Sequence, residues 1–242
     1  MALGSQPRWT VRPADTAVGI DVGLREYMLR VFNYMASGLA LTGIVAYVAA
    51  ASGFYESIAR TPLIWLVILA PLGLVMLMSF GVQRMQASTL QLVFWGYSAL
   101  MGLSMAMIFI VFTHSSIARV FFITAGTFGA MSLYGYTTRR DLSQFGSFLF
   151  MGLIGIIIAG LVNMFMQSSM LQFMISVIGV IVFTGLTAYD TQRIKVAYVQ
   201  YAYADGVEMA GKRSVFDALS LYLNFINLFM LLLQLLGNRN NS

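Results

Sequence analysis

The sequence predicts an all-α integral membrane protein with seven transmembrane helices. Three observations carry that prediction. The chain of 242 residues is 59% hydrophobic and only 10% charged, whereas soluble domains carry roughly 25% charged residues. Its charges collect between long continuous apolar blocks, each close to the roughly 20 residues that a span requires. Hydrocarbon offers no partner to an open backbone, so such blocks form helices. The short alternating segments of an outer-membrane barrel are not the pattern here.

Residues 1–24 read as a flexible polar leader with Pro7 and Pro13, and they lack the pattern of a cleavable signal peptide. The spans fall near 31–51, 62–82, 89–112, 117–137, 145–166, 170–190 and 217–237. Residues 25–237 thus form one transmembrane domain, and 238–242 a short polar tail. Several connections are short enough to make neighbouring spans antiparallel. "MGLIGIIIAG" and "AGTFGA" place Gly155 with Ala159 and Gly126 with Ala130 four apart, a spacing that lets helix backbones approach in lipid. The 17 methionines form no tight Met-x-Met cluster and read as packing residues.

Charge and composition exclude several function classes. The net charge of +5 follows the span boundaries, so it marks the lipid bilayer and not nucleic acid as the partner. With no cysteine and one histidine, the chain has neither a disulfide nor the ligands of a thiolate or histidine zinc site. GxSxG, HExxH and phosphate-loop motifs are missing as well. The expectation is a protein that is not an enzyme and needs no cofactor, and a monomer is compatible with it.

The polar residues at the span ends and within the last spans carry the functional signal. Asp190 closes the apolar run of span six in "GLTAYDTQRIK". Arg193 follows at i+3 and offers a local pair. Alternatively, Asp190 faces the bundle interior, where a carboxylate needs a cation or a polar partner. Span seven, "SVFDALSLYLNFINLFMLLLQLLG", contains Asp217, Asn224, Asn227 and Gln234. Asp217 and Asn224 differ by about 20° around a helix, and Asn227 lies about 60° further on, so a polar stripe runs along an otherwise apolar helix. Such a stripe turns toward protein or water, which suits a central position. Ser214 and Asp217 also fit a variant of the capping box at the start of this span. Asn224, about 10 Å deeper, fits either helix-to-helix glue or a site. Arg84 ends span two and reads either as a snorkelling side chain or as a partner of Asp190. Arg139, Arg140 and Asp141 mark a turn, where Asp141 helps to start span five. His114 sits at a helix junction with Ser115 or Ser116 available to cap span four.

The segments "SLYGYTTRRDLSQFGSFLFMGLIG", "LTAYDTQRIK" and "ALSLYLNFINLFMLLLQLLG" resemble the Bax inhibitor family, the transmembrane Bax inhibitor motif proteins, in its bacterial branch; the similarity runs from about residue 25 to 237. The resemblance implies a seven-helix fold with the last helix surrounded by the others. It also implies a pH-sensitive calcium leak, or, as in some bacterial relatives, control of a membrane-bound quality-control protease. In the family two aspartates on the last two spans form a pH-sensing pair, and an arginine from the second span engages the first. Asp190 matches the first aspartate through "YDTQ", and Arg84 matches the arginine. The second aspartate falls in "LYLNF", where this chain has Asn224. An Asp190–Asn224 pair can still hydrogen bond but has one titrating group, and Asp217 restores a dyad only where geometry brings it to Asp190.

The expected function is therefore a calcium-permeable leak of the bacterial inner membrane, gated near Asp190. Carboxylate oxygen suits calcium, but so few intramembrane carboxylates make Asp190 a weak, transient metal contact. The alternative is a non-transporting regulator that binds a membrane protease. A proton-coupled carrier is a third reading, resting only on Asp190 in a polar seam.

Orientation follows from the basic residues. Arg8, Arg12, Arg25, Arg30, Arg84, Arg139, Arg140, Arg193, Lys195, Lys212 and Arg213 share one side, leaving Arg60, Arg119 and Arg239 of the 14 on the other. The positive-inside rule places the N-terminus in the cytoplasm and the C-terminus outside. Single cysteines at Gly4 and Asn240 test this in a cysteine-free background. An impermeant thiol reagent applied to intact cells should label only position 240, and labelling of position 4 alone would reverse the orientation.

Overall fold

The computed structural model describes residues 13–81, 85–201 and 207–240. Among them are nine helices: α1 (Pro13–Ala51), α2 (Phe54–Ala59), α3 (Leu63–Gly81), α4 (Ala87–Met105), α5 (Met107–Val111), α6 (His114–Thr137), α7 (Ser143–Met166), α8 (Ser169–Tyr201) and α9 (Val207–Leu236). Seven units are long and apolar enough to cross a membrane, with α4 and α5 counted as one span from Ala87 to Val111. The fold is all-α, as expected, and all seven expected spans are present.

Helix ends differ from the hydropathy boundaries. Helix α1 begins at Pro13, inside the stretch expected as leader. Proline suits a first helical position because its missing N–H has no partner there anyway. Helix α8 runs eleven residues past Asp190 to Tyr201, and α9 starts ten residues before Asp217. Hydropathy marks where lipid ends, whereas the backbone hydrogen-bond ladder continues as long as side chains hold the helix to its neighbours. On α8 those side chains are Gln192 and Lys195. Gln192 Nε2 donates to the Arg140 carbonyl at 2.7 Å, and Gln192 Oε1 accepts from Leu142 N at 2.8 Å. Lys195 Nζ donates to the Tyr136 carbonyl at 2.7 Å.

Helix α9 is the axis. It packs along α1, α4, α6 and α8, and 61% of its apolar window is buried, against at most 39% for any other span. Its core side chains include Leu221, Tyr222 and Leu228. Tyr222 stands edge-on to Phe94 and Tyr97 of α4, with ring centroids 6.1 and 5.5 Å away. Its hydroxyl lies 2.7 Å from Thr42 Oγ1 of α1. One buried cluster thus ties α1, α4 and α9.

Breaks in the helical ladder are repaired by side chains, as hydrocarbon demands. Pro71 inside α3 cannot donate to the Val67 carbonyl; Ser104 Oγ of α4 donates to that oxygen instead, at 2.6 Å. At the start of α6 the cap is Thr113, whose side chain accepts from Ser116 N. Ser116, expected as a cap candidate, instead accepts from Asn238 N at 3.0 Å. Thr113 N donates to the Asn238 carbonyl and Asn240 N to the Val111 carbonyl, so the polar tail is fastened to the α5–α6 junction. At the start of α7, Asp141 Oδ1 accepts from Ser143 N at 2.8 Å, in line with the expected role of this carboxylate.

The glycines that bring helices together are not those singled out by four-residue spacing. A Cβ added at Gly126 or Gly155 would meet nothing within 4 Å, and both face outward. Added at Gly102 it would lie 2.5 Å from the Thr42 carbonyl oxygen, and at Gly135 it would overlap the Ala188 carbonyl. Small-xxx-small spacing permits close approach, but contact also needs a facing helix. G135A should therefore cost about 1–3 kcal/mol by overpacking α6 against α8. G126A should shift stability by less than about 1 kcal/mol, toward stabilisation. Unfolding of the purified protein in detergent compares the two, and equal effects would refute the packing assignment.

Candidate functional site

Asp190 reaches the interior through simple periodicity. Phe183, Leu186, Thr187, Asp190, Thr191 and Ile194 are all buried and recur at three and four residues, the seam that α8 turns to α9. A carboxylate on such a seam loses most of its water and must find partners in protein. Asn224 of α9 provides one: its Nδ2 donates to Asp190 Oδ2 at 2.7 Å. The other oxygen, Oδ1, lies 3.1 Å from Arg193 Nη2, yet no donor is aligned for a hydrogen bond to it. Arg193 compensates the charge without satisfying that oxygen's lone pairs. Its guanidinium also donates to Ser220 Oγ of α9 at 3.1 Å.

Burial is asymmetric. The Asp190 side chain is 7% exposed and that of Arg193 41%. The anion is fixed in the seam while its cation stands half in solvent, so the two differ in freedom. A half-exposed pair contributes little net stability. The local Arg193 pair and the cross-helix Asn224 contact, weighed as alternatives from sequence, are both present.

Asp217 lies within α9 and does not cap it. Ser214, its supposed capping partner, has its hydroxyl on the Gly211 carbonyl at 2.7 Å. Asp217 Oδ2 accepts from the Tyr27 hydroxyl of α1 at 2.6 Å. The Tyr27 ring in turn lies against Tyr198 of α8, with centroids 4.9 Å apart. Arg193, Arg213 and Asp190 are all within electrostatic reach of Asp217. Arg193 therefore acts on two carboxylates, one bound by Asn224 and one by Tyr27. Tyr27 left no trace in the sequence, because its partner lies 190 positions away. Arg84 lies outside the described residues.

The rest of the polar stripe divides among other neighbours. Gln234 Oε1 accepts from Gln172 Nε2 at 2.7 Å and from Ser176 Oγ at 3.0 Å. Asn163 Nδ2 of α7 extends this chain to Gln172 Oε1 at 3.0 Å. The cluster lines a cleft of about 980 Å³ at the end of the bundle opposite Asp190. Asn227 is exposed and donates to its own Leu223 carbonyl. Among the described residues no three His, Asp or Glu side chains gather as a metal cluster.

Removing the amide alone should strand a buried carboxylate oxygen. N224L is expected to cost about 1–3 kcal/mol, and D190L/N224L less than the sum of its single changes. Unfolding free energies of the four proteins in detergent give the coupling. Strict additivity would mean that the Asn224 contact carries no energy.

The chain matches the family described as Inhibitor of apoptosis-promoting Bax1 over residues 24–241. It is 48% identical to the inner membrane protein YbhL of Escherichia coli (strain K12) over 228 residues, covering 93% of this chain and 97% of that one. It is also 48% identical to the RP147 protein of Rickettsia prowazekii (strain Madrid E) over 222 residues, covering 91% and 93%. A membrane protein of Streptococcus pyogenes serotype M6, M6_Spy0327, is 31% identical over 223 residues, covering 91% and 96%. Span pattern, central last helix and full-length similarity agree: this chain belongs to the Bax inhibitor family.

Proposed function

We propose that this protein is a pH-sensitive, calcium-permeable leak of the bacterial inner membrane, with its N-terminus in the cytoplasm. The compartment rests on the similarity to the inner membrane protein of Escherichia coli and on the seven spans. The gating reading rests on one observation: a buried carboxylate on the seam of the central helix has a half-exposed cation as counter-ion.

In this reading ionised Asp190 closes the seam. It accepts from Asn224 and draws Arg193 across toward Ser220, so that α8 and α9 are held together from both sides. Protonation removes the Coulomb attraction and frees Arg193 to turn outward into solvent. The α8–α9 contact then rests on one neutral hydrogen bond, and the balance shifts toward the open state. A single carboxylate binds calcium weakly, which suits passage and not storage. Asp217, held by Tyr27, anchors α9 to α1 and tunes Arg193 by charge.

Calcium flux in proteoliposomes from pH 5 to 8 tests the reading. Wild type should leak more as pH falls, in one titration step, and D190N should lose the pH dependence. N224D places two carboxylates in contact and should add a second step. D217N should weaken the fold while keeping the pH response. If N224D leaves the curve unchanged and D217N abolishes its pH dependence, Asp217 is the sensor's second member. Absence of flux at every pH, with a membrane protease co-purifying, would replace the leak by the regulator reading.

A further inference from the structure

The basic end of the bundle carries a cavity of about 480 Å³ next to the gate. Its walls come from the α6–α7 connection and from one stripe of α8. Arg139 and Arg140 form one wall; Tyr189, Gln192, Arg193 and Val196, at helical spacing, form the other. Lys195 adds a fourth cation. Its ammonium is engaged with the Tyr136 carbonyl and lies 5.3 Å from the centroid of the Tyr136 ring. Arg139 and Arg140 are exposed, and among the described residues neither guanidinium has an ion-pair or hydrogen-bond partner. The single acid in the wall is Asp141. Its hydrogen bonds from Ser143 hold the carboxyl below the usual carboxylate range, so it stays ionised, and the cavity keeps a surplus of positive charge.

Gln192 fixes the geometry. Its two hydrogen bonds, to Arg140 O and from Leu142 N, clamp the connection onto α8 one residue from Arg193. The arginines are therefore presented beside the counter-ion of Asp190. The cavity also sits between the end of the apolar helix α6 at Thr137 and the start of α7 at Ser143. Phe145 and Phe148, 63% and 71% exposed, lie in the first turns of α7, the helix whose first residue, Ser143, lines the cavity. A phosphate held by arginines at the start of a helix with exposed aromatic side chains matches an amphiphile better than a free anion.

We propose that this cavity binds the phosphodiester headgroup of an anionic phospholipid, and that the headgroup shares Arg193 with Asp190. Arg139 and Arg140 hold the phosphate through paired N–H donors, while the acyl chains lie along Phe145 and Phe148. A bound phosphate draws the exposed guanidinium of Arg193 away from the seam, so the anionic lipid and ionised Asp190 compete for one cation. Only this sharing has a consequence for gating, and that consequence rests on the leak reading; the binding site itself does not.

Native mass spectrometry of the full chain in detergent, titrated with phosphatidylglycerol or phosphatidylcholine, tests both parts. Wild type should retain phosphatidylglycerol over phosphatidylcholine. R139Q/R140Q should bind it roughly thirtyfold more weakly, from two basic contacts near an anionic surface. R139K/R140K, which keeps the charge but loses the paired donors, should bind between wild type and R139Q/R140Q, and R119Q, at the opposite end, should match wild type. Equal retention of both lipids, or unchanged binding by R139Q/R140Q, would overturn the site. Displacement of phosphatidylglycerol by inorganic phosphate at equal concentration would reassign the cavity to a soluble anion and overturn the lipid assignment. By reciprocity of linkage, D190N frees Arg193 and should tighten phosphatidylglycerol binding about threefold or more. Unchanged affinity in D190N would overturn the sharing of Arg193. These readouts need no flux, so loss of the leak reading and loss of this one are told apart.

Discussion

A carboxylate taken into a helix seam inside a membrane must be satisfied there, and much of this bundle's polar organisation follows from that need. Asp190 brings Asn224 to one oxygen and Arg193 to the other. Through Arg193 it engages Ser220, and by charge it reaches Asp217, which Tyr27 binds from α1. Helices α1, α8 and α9 are thus joined at one end by polar contacts. Elsewhere α9 meets α1 and α8 through apolar packing, which gains little over contact with lipid tails, and through the Tyr222–Thr42 contact and the hydrogen bonds of Gln234.

The same rule acts along the rest of the chain. Pro71 leaves a carbonyl open and Ser104 covers it. The α5–α6 junction exposes backbone groups and the C-terminal tail pairs with them. Gln234, Gln172, Ser176 and Asn163 satisfy one another at the far end. The amides and hydroxyls so placed carry no net charge, in contrast to the basic end. This asymmetry makes the two ends of the bundle chemically distinct around one central helix.

At the basic end, strong and weak electrostatics lie side by side. Asp190 is nearly dry, and the loss of a partner there is costly. Arg193 is half exposed and cheap to move. The anion is thus fixed while its cation is the more accessible partner. Gln192 and Lys195 tie α8 to the backbone of the α6–α7 connection and of Tyr136 beside it.

The sequence by itself determined the all-α class and the seven spans, and it offered Arg193 and Asn224 among the partners of Asp190. Apolar length gives the spans and helical spacing gives the polar stripe, whereas the place of Asn224 opposite Asp190 is implied by the family resemblance of "YDTQ" and "LYLNF". Tertiary structure decided where the helices begin, because side-chain clamps extend α8 and early residues extend α9 beyond the hydropathy boundary. It moved Asp217 from a helix cap to a contact with Tyr27, since a partner 190 residues away leaves no local pattern. It also transferred close packing from Gly126 and Gly155 to Gly102 and Gly135. Spacing along one helix states which side is small, but only the facing helix decides whether that side is used.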